Sequence, residues 1–257
     1  MRTGVCATIA KLPGPVAGLD YLEATVADLL CPRQDAAAFA ERLAAARAAP
    51  APVEALNIFL PGELKTTGPD VDLAALDAYV ATACRRAGAA GVKIIVFGSG
   101  GSRRVPEGFD HAAAGEQLAD HLKRWGPLVA AAGVTLALEP LNRTECNIVN
   151  SLAEGADLVR RAGHPSIRLL ADTYHMAVEG EGPQAIRQAA GLIVHVHCAE
   201  GNGRGPLGAT GEDHRGYFRA LKDVGYDARV SIEAKWTAFQ AQLGPALAEL
   251  RRQIQTA

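Results

Sequence analysis

Apolar residues in this chain gather in short runs rich in β-branched side chains. The runs are VCATI (5–9), YLEATV (21–26), ALNIFL (55–60), VKIIVF (92–97), TLALE (135–139), IRLLAD (167–172), IVHVHC (193–198) and VSIE (230–233). Stretches with helical spacing separate most of them: 35–49, 72–88, 110–132, 151–162, 183–190, 213–224 and 238–255. Near-continuous apolar strands alternating with amphipathic helices predict a parallel sheet covered by helices. Eight such strands in 257 residues match the number and size of a (β/α)8 barrel, here read as one domain over 1–257. The first connection, KLPGPVAGLD (11–20), is too short and too rich in Pro and Gly for a full helix, so the first βα unit is expected to be degraded. A doubly wound open sheet is the competing arrangement.

Composition narrows the class of protein. With 49% hydrophobic and 21% charged residues, the chain is an ordinary globular protein able to bury a large core. A net charge of −2 offers no footprint for nucleic acid or an anionic membrane, so neither is expected as a partner. The N-terminal apolar run is too short for a signal peptide, and no later segment is expected to span a bilayer. Five cysteines, odd in number and without a CxxC pair, read as reduced thiols in a cytoplasm. The sequence is compatible with a homo-oligomer and does not specify one.

The chemistry lies at the strand ends. In a barrel the catalytic face is the one where strands end. Strand five ends at Glu139, strand six at Asp172 and strand eight at Glu233, while strand seven carries the pair His195 and His197 on one face. Glu139, Asp172, His197 and Glu233 each lie about one βα unit from the next, so they would line one side of the barrel mouth. An ionised carboxylate in an interior costs several kcal/mol unless it is paired, and four such groups repel one another unless a divalent cation joins them. Three carboxylates and an imidazole form a mostly hard donor set, suited first to Mn²⁺ and also to Mg²⁺, Co²⁺ or Zn²⁺. His197 is favoured over His195 as the ligand because it lies nearer the strand end. The stretch VFGSGGSRRVP (96–106) lacks the GK[ST] of a nucleotide loop. It is expected to shape the pocket at the barrel mouth instead, with Ser99 or Arg103 as contacts. Trp236, three residues after Glu233, would wall that pocket or fill the core.

The segments LEPLNRTECNIVNS (138–151), ADTYHM (171–176), HVHCAEGNGR (195–204) and SIEA (231–234) resemble the xylose-isomerase-like TIM-barrel superfamily. Within it they resemble the ketose 3-epimerase branch and related hydroxypyruvate isomerases. The resemblance implies Glu139, Asp172, His197 and Glu233 as metal ligands, with Glu139 and Glu233 also serving as the acid and base. It further implies Glu145, His175 and Arg204 as substrate contacts, Arg204 holding a hydroxyl or a phosphate. The spacing from His197 to Arg204 fits the isomerases better, which leaves the branch open. The implied activity is a metal-dependent ketose 3-epimerase in carbohydrate metabolism with a small sugar substrate. A keto-inositol or keto-sugar dehydratase, an aldose–ketose isomerase and a non-catalytic sugar-binding relative are the alternatives. The abasic-site endonucleases of the same superfamily need histidines from early strands, and only His111 and His121 precede residue 139.

Overall fold

Each apolar run contributes a strand, and the eight strands pair in parallel and in chain order into a closed barrel. They are β1 (Arg2–Cys6), β2 (Tyr21–Thr25), β3 (Val53–Asn57), β4 (Ile94–Phe97), β5 (Thr135–Leu138), β6 (Ile167–Asp172), β7 (Ile193–Cys198) and β8 (Arg229–Ile232). The computed structural model describes residues 1–12 and 14–257. Closure comes where β1 pairs with β8, Gly4 opposite Ser231, which removes the open-sheet alternative.

The helices are α1 (Val26–Leu29), α2 (Ala36–Arg47), α3 (Leu73–Ala90), α4 (Gly100–Arg103), α5 (His111–Ala131), α6 (Leu152–Ala162), α7 (Thr173–Val178), α8 (Pro183–Gln188), α9 (Arg215–Asp223) and α10 (Phe239–Thr256). Local chemistry starts several of them. Asp35, Asp72 and Asp110 each accept the backbone N–H three residues on, at 2.9, 3.0 and 2.7 Å, and Ser151 accepts from Glu154 at 3.2 Å. The elements α2, α3, α5, α6, α8, α9 and α10 fall where the periodicity predicts helix. The short turns α1, α4 and α7 sit at strand ends and are additions. Among the described residues between β1 and β2 only a 3₁₀ turn, Ile9–Lys11, replaces the helix, so the first unit is degraded as expected. Pro13, inside that connection, lies outside the described residues.

Two strands begin two or more residues earlier than the apolar pattern predicts. β1 starts at Arg2, whose guanidinium meets Glu54 at the N-terminal rim of the barrel, and it ends at Cys6 rather than Ile9. β3 ends at Asn57 because Ile58 adopts φ +51°, a left-handed conformation that stops a strand. Phe59 and Leu60 then pack into the core from the loop.

Two apolar layers result. Tyr21, Ala55, Ile94, Val96, Ala137 and Leu170 fill the barrel interior, and a larger cluster lies between strands and helices. Trp125 of α5 is fully buried in that outer layer, edge-on to Phe59 and Phe97 at ring separations of 5.6 and 5.7 Å. Trp236 packs against Phe239 at 5.1 Å, away from the cavity described below. Among the described residues no helix is long and apolar enough to cross a membrane.

Candidate active site

Strand register brings the predicted residues together. Asp172 of β6 and Ser231 of β8 both stand level with His197 of β7, and Glu139 and Glu233 follow the last residues of β5 and β8. One donor atom from each of Glu139, Asp172, His197 and Glu233 lies within 4.8 Å of the others. His197 Nδ1 is 3.1 Å from Glu139 Oε1 and 3.4 Å from Glu233 Oε2. His197 thus occupies the cluster, and His195 sits deeper with its Nε2 on the Glu23 carboxylate at 2.7 Å.

Small residues and short turns hold these groups in place. A Cβ on Gly98 would collide with Glu139 Oε2, so the chain after β4 must carry glycine for the carboxylate to lie where it does. Asp172 caps α7, Oδ1 accepting from the Tyr174 N–H at 2.8 Å. Its other oxygen, Oδ2, is buried and accepts no hydrogen bond, with His175 Nε2 3.5 Å away and also unpartnered. Asn57 donates to Glu233 Oε1 at 3.1 Å.

The electrostatics match this geometry. Among the protein groups alone, burial raises the Glu139 pKa. Burial also raises Asp172, to about 6, with Glu233 adding to the effect and Arg204 opposing it. Burial would raise Glu233 as well, but His197 and Arg204 hold it down at about 2. Burial opposes charge on His197, and the Glu23 carboxylate overrides it, leaving its pKa well above the usual histidine value. Crowded buried carboxylates, an oxygen with no donor and an imidazole nitrogen aimed among them fit a divalent cation.

A cavity of about 340 Å³ opens over this cluster, at the small end of ligand pockets. Glu139, Glu145, His175, Arg204 and Glu233 all line it. Arg204 extends from the loop after β7 with φ +57°. It forms an ion pair with Glu233, donates to Glu145 at 3.2 Å and lies 3.6 Å from Asp172. Its guanidinium also lies over the Tyr174 ring, 4.7 Å from the centroid. His175 Nδ1 accepts from Asn142 Nδ2 at 2.9 Å, which leaves Nε2 toward the cluster.

Of the two contacts expected in the loop after β4, Ser99 lines the cavity and accepts from the Leu60 N–H at 2.9 Å. Arg103 does not line it. Its side chain is fully buried beneath the loop, donating to the Glu139 carbonyl at 2.8 Å over the Phe97 ring. The guanidinium braces the backbone of Glu139 instead of meeting a ligand. Sequence reasoning passed over Glu23, Asn57 and Ser231. The signal for Glu23 was present: a charge in the middle of the apolar run YLEATV.

An eight-stranded barrel with three carboxylates and an imidazole converging at its mouth defines a recognisable class. The family described as xylose isomerase-like TIM barrel matches residues 16–255, and the chain belongs to it. L-ribulose 3-epimerase of Mesorhizobium japonicum is 44% identical over 105 residues, 40% of this chain and 35% of that protein. D-psicose 3-epimerase of Ruminiclostridium cellulolyticum is 33% identical over 125 residues, 46% of this chain and 40% of that protein. The matched stretches thus span well under half the length of these curated relatives. A D-allulose 3-epimerase from Methylomonas, solved with D-allulose, superposes with a TM-score of 0.81 at 22% identity, covering 98% of this chain and 97% of that one. That likeness is one of fold.

Proposed function

We propose that this chain is a divalent-metal-dependent ketose 3-epimerase. The observation that carries the reading is the convergence of Glu139, Asp172, His197 and Glu233 within 4.8 Å of one another, with Glu139 and Glu233 lining a small cavity. The names of the relatives, ribulose and psicose 3-epimerases, support the same reading. These four side chains would hold the ion, Mn²⁺ being favoured by three hard carboxylate donors. The chemistry such an ion supplies when bound is charge stabilisation beside the reacting carbonyl.

The chain supplies the rest. Epimerisation removes a proton from the carbon next to the ketose carbonyl and returns one to its other face. Glu139 after β5 and Glu233 after β8 are the acid–base pair for this, a role typically worth 10²–10⁴-fold. Asn57 and Arg204 orient Glu233. His175 and Glu145 address substrate hydroxyls from the rim. Among the described residues Arg204 is the single Lys or Arg lining the cavity, and it is already engaged by Glu233, Glu145 and Asp172. The substrate is therefore an unphosphorylated ketose.

The test is turnover of a panel of free and phosphorylated ketoses by Mn²⁺-loaded protein in deuterated water. A free ketose should yield its 3-epimer with solvent deuterium on the epimerised carbon. A 3-epimer lacking that deuterium would rule out the two-glutamate exchange. A dehydrated product or an aldose would reassign the reaction, and turnover confined to phosphorylated sugars would refute the neutral-substrate reading.

A further inference from the structure

Among the described residues, Glu23 is the one buried carboxylate of the barrel interior that the proposed reaction does not use. It sits in the middle of β2, fully buried, directly behind the four-group cluster. Oε1 lies 2.8 Å from His197 Nε2. Oε2 lies 2.7 Å from His195 Nε2 and 2.6 Å from Ser231 Oγ. Ser231 Oγ is in turn 2.7 Å from the Tyr21 hydroxyl.

An ionised carboxylate only accepts hydrogen bonds, so everything pointing at Glu23 must arrive as a donor. That requirement sets every proton in the network. His195 and His197 each carry hydrogen on Nε2, Ser231 donates to Glu23, and Tyr21 donates to Ser231. In a neutral His197 ring the one lone pair is then on Nδ1, the atom facing Glu139 and Glu233. In the other tautomer a lone pair would face the Glu23 carboxylate, and a proton on Nδ1 would stand where a cation has to approach. Apolar residues in place of Glu23, His195 and Ser231 together would fill this part of the barrel at little loss of stability, since burying a carboxylate is costly. The carboxylate instead sits against the far side of the ring, where its charge also makes the imidazole a stronger donor to a metal.

We propose that Glu23 is a positioning residue that holds His197 in the tautomer leaving Nδ1 free toward the Glu139–Asp172–Glu233 cluster. The inference rests on reading that cluster as a cation site. Its test is long-range ¹H–¹⁵N spectroscopy of the histidine rings in Mg²⁺-loaded wild-type protein, with the signals assigned through His195→Asn. Protons on Nε2 of both His195 and His197 are expected. A proton on Nδ1 of His197 in that state overturns the proposal, whatever any variant does. The second measurement is competitive Mn²⁺ titration of Glu23→Gln. Its amide turns an N–H₂ toward one ring, so one of the two Nε2 protons should vanish and affinity should fall about 10–100-fold. Glu23→Asp, which keeps the carboxylate, should recover part of that loss. Wild-type protein that takes up no stoichiometric Mn²⁺ overturns the cation reading and this inference with it. Wild-type affinity retained by a Glu23→Gln protein whose His197 has lost its Nε2 proton overturns this inference alone.

Discussion

Replacing Glu200 with Gln should loosen the loop that carries Arg204. Glu200 lies just past β7 and is fully buried. Its Oε1 accepts from the backbone N–H groups of Gly208, Gly211 and Glu212 at 2.8, 3.1 and 3.3 Å. Oε2 accepts from the Thr210 N–H and hydroxyl at 2.6 and 2.7 Å. One carboxylate thus gathers the far half of the loop, while Arg204 in its near half reaches Glu233. In Glu200→Gln one oxygen becomes an N–H₂ facing N–H donors. Hydrogen bonds to charged groups contribute about 1.5–3 kcal/mol each, but these share one acceptor and do not add, so the cost is about 2–4 kcal/mol. At this chain length that is a fall of roughly 5–15 °C in Tm. Scanning calorimetry measures it, and proteolysis within 201–212 should quicken in parallel. The donors also hold the Glu200 pKa below the usual glutamate value, against burial. A carboxylate lowered in the folded state stabilises above its unfolded pKa, and that stability is lost as pH falls through the folded one. The melting difference between wild type and Glu200→Gln should therefore hold at neutral pH and shrink below about pH 4. Equal melting temperatures at pH 7, with unchanged loop proteolysis, would refute the assignment.

Gly98→Ala puts a methyl group where the Glu139 carboxylate lies. It is expected to weaken Mn²⁺ binding at least 10-fold while costing about 1–3 kcal/mol of stability; titration at wild-type affinity would count against the close packing. Trp125→Ala removes a fully buried indole between Phe59 and Phe97, and should cost about 3–5 kcal/mol. Urea unfolding reads that loss, and because the ring lies in the outer layer, Mn²⁺ affinity of the folded variant should stay near wild type.

The barrel was readable because its strands are buried on both faces and several of its helices begin with capping side chains, both local properties of the chain. The candidate site was half readable for a related reason. Glu139, Asp172 and Glu233 stand at the ends of apolar runs, where a charge has no local excuse, and the barrel topology alone makes those ends converge. Glu23 obeys the same logic in the middle of its run, yet its partner His195 is 172 residues away. No spacing within β2 reveals that β7 and β8 supply the donors. Arg103 misleads in the opposite direction, because an arginine among glycines reads as a loop cation until the fold closes over it and gives it the Glu139 carbonyl. The turns α4 and α7 are too short to show any period. Arg204 depends on a left-handed backbone conformation and on Glu200 gathering residues 208–212, neither of which a pattern of apolar positions encodes. Strand ends are thus set by composition along the chain. The protons and loop conformations that would make a reactive site of them are set by contacts between distant strands.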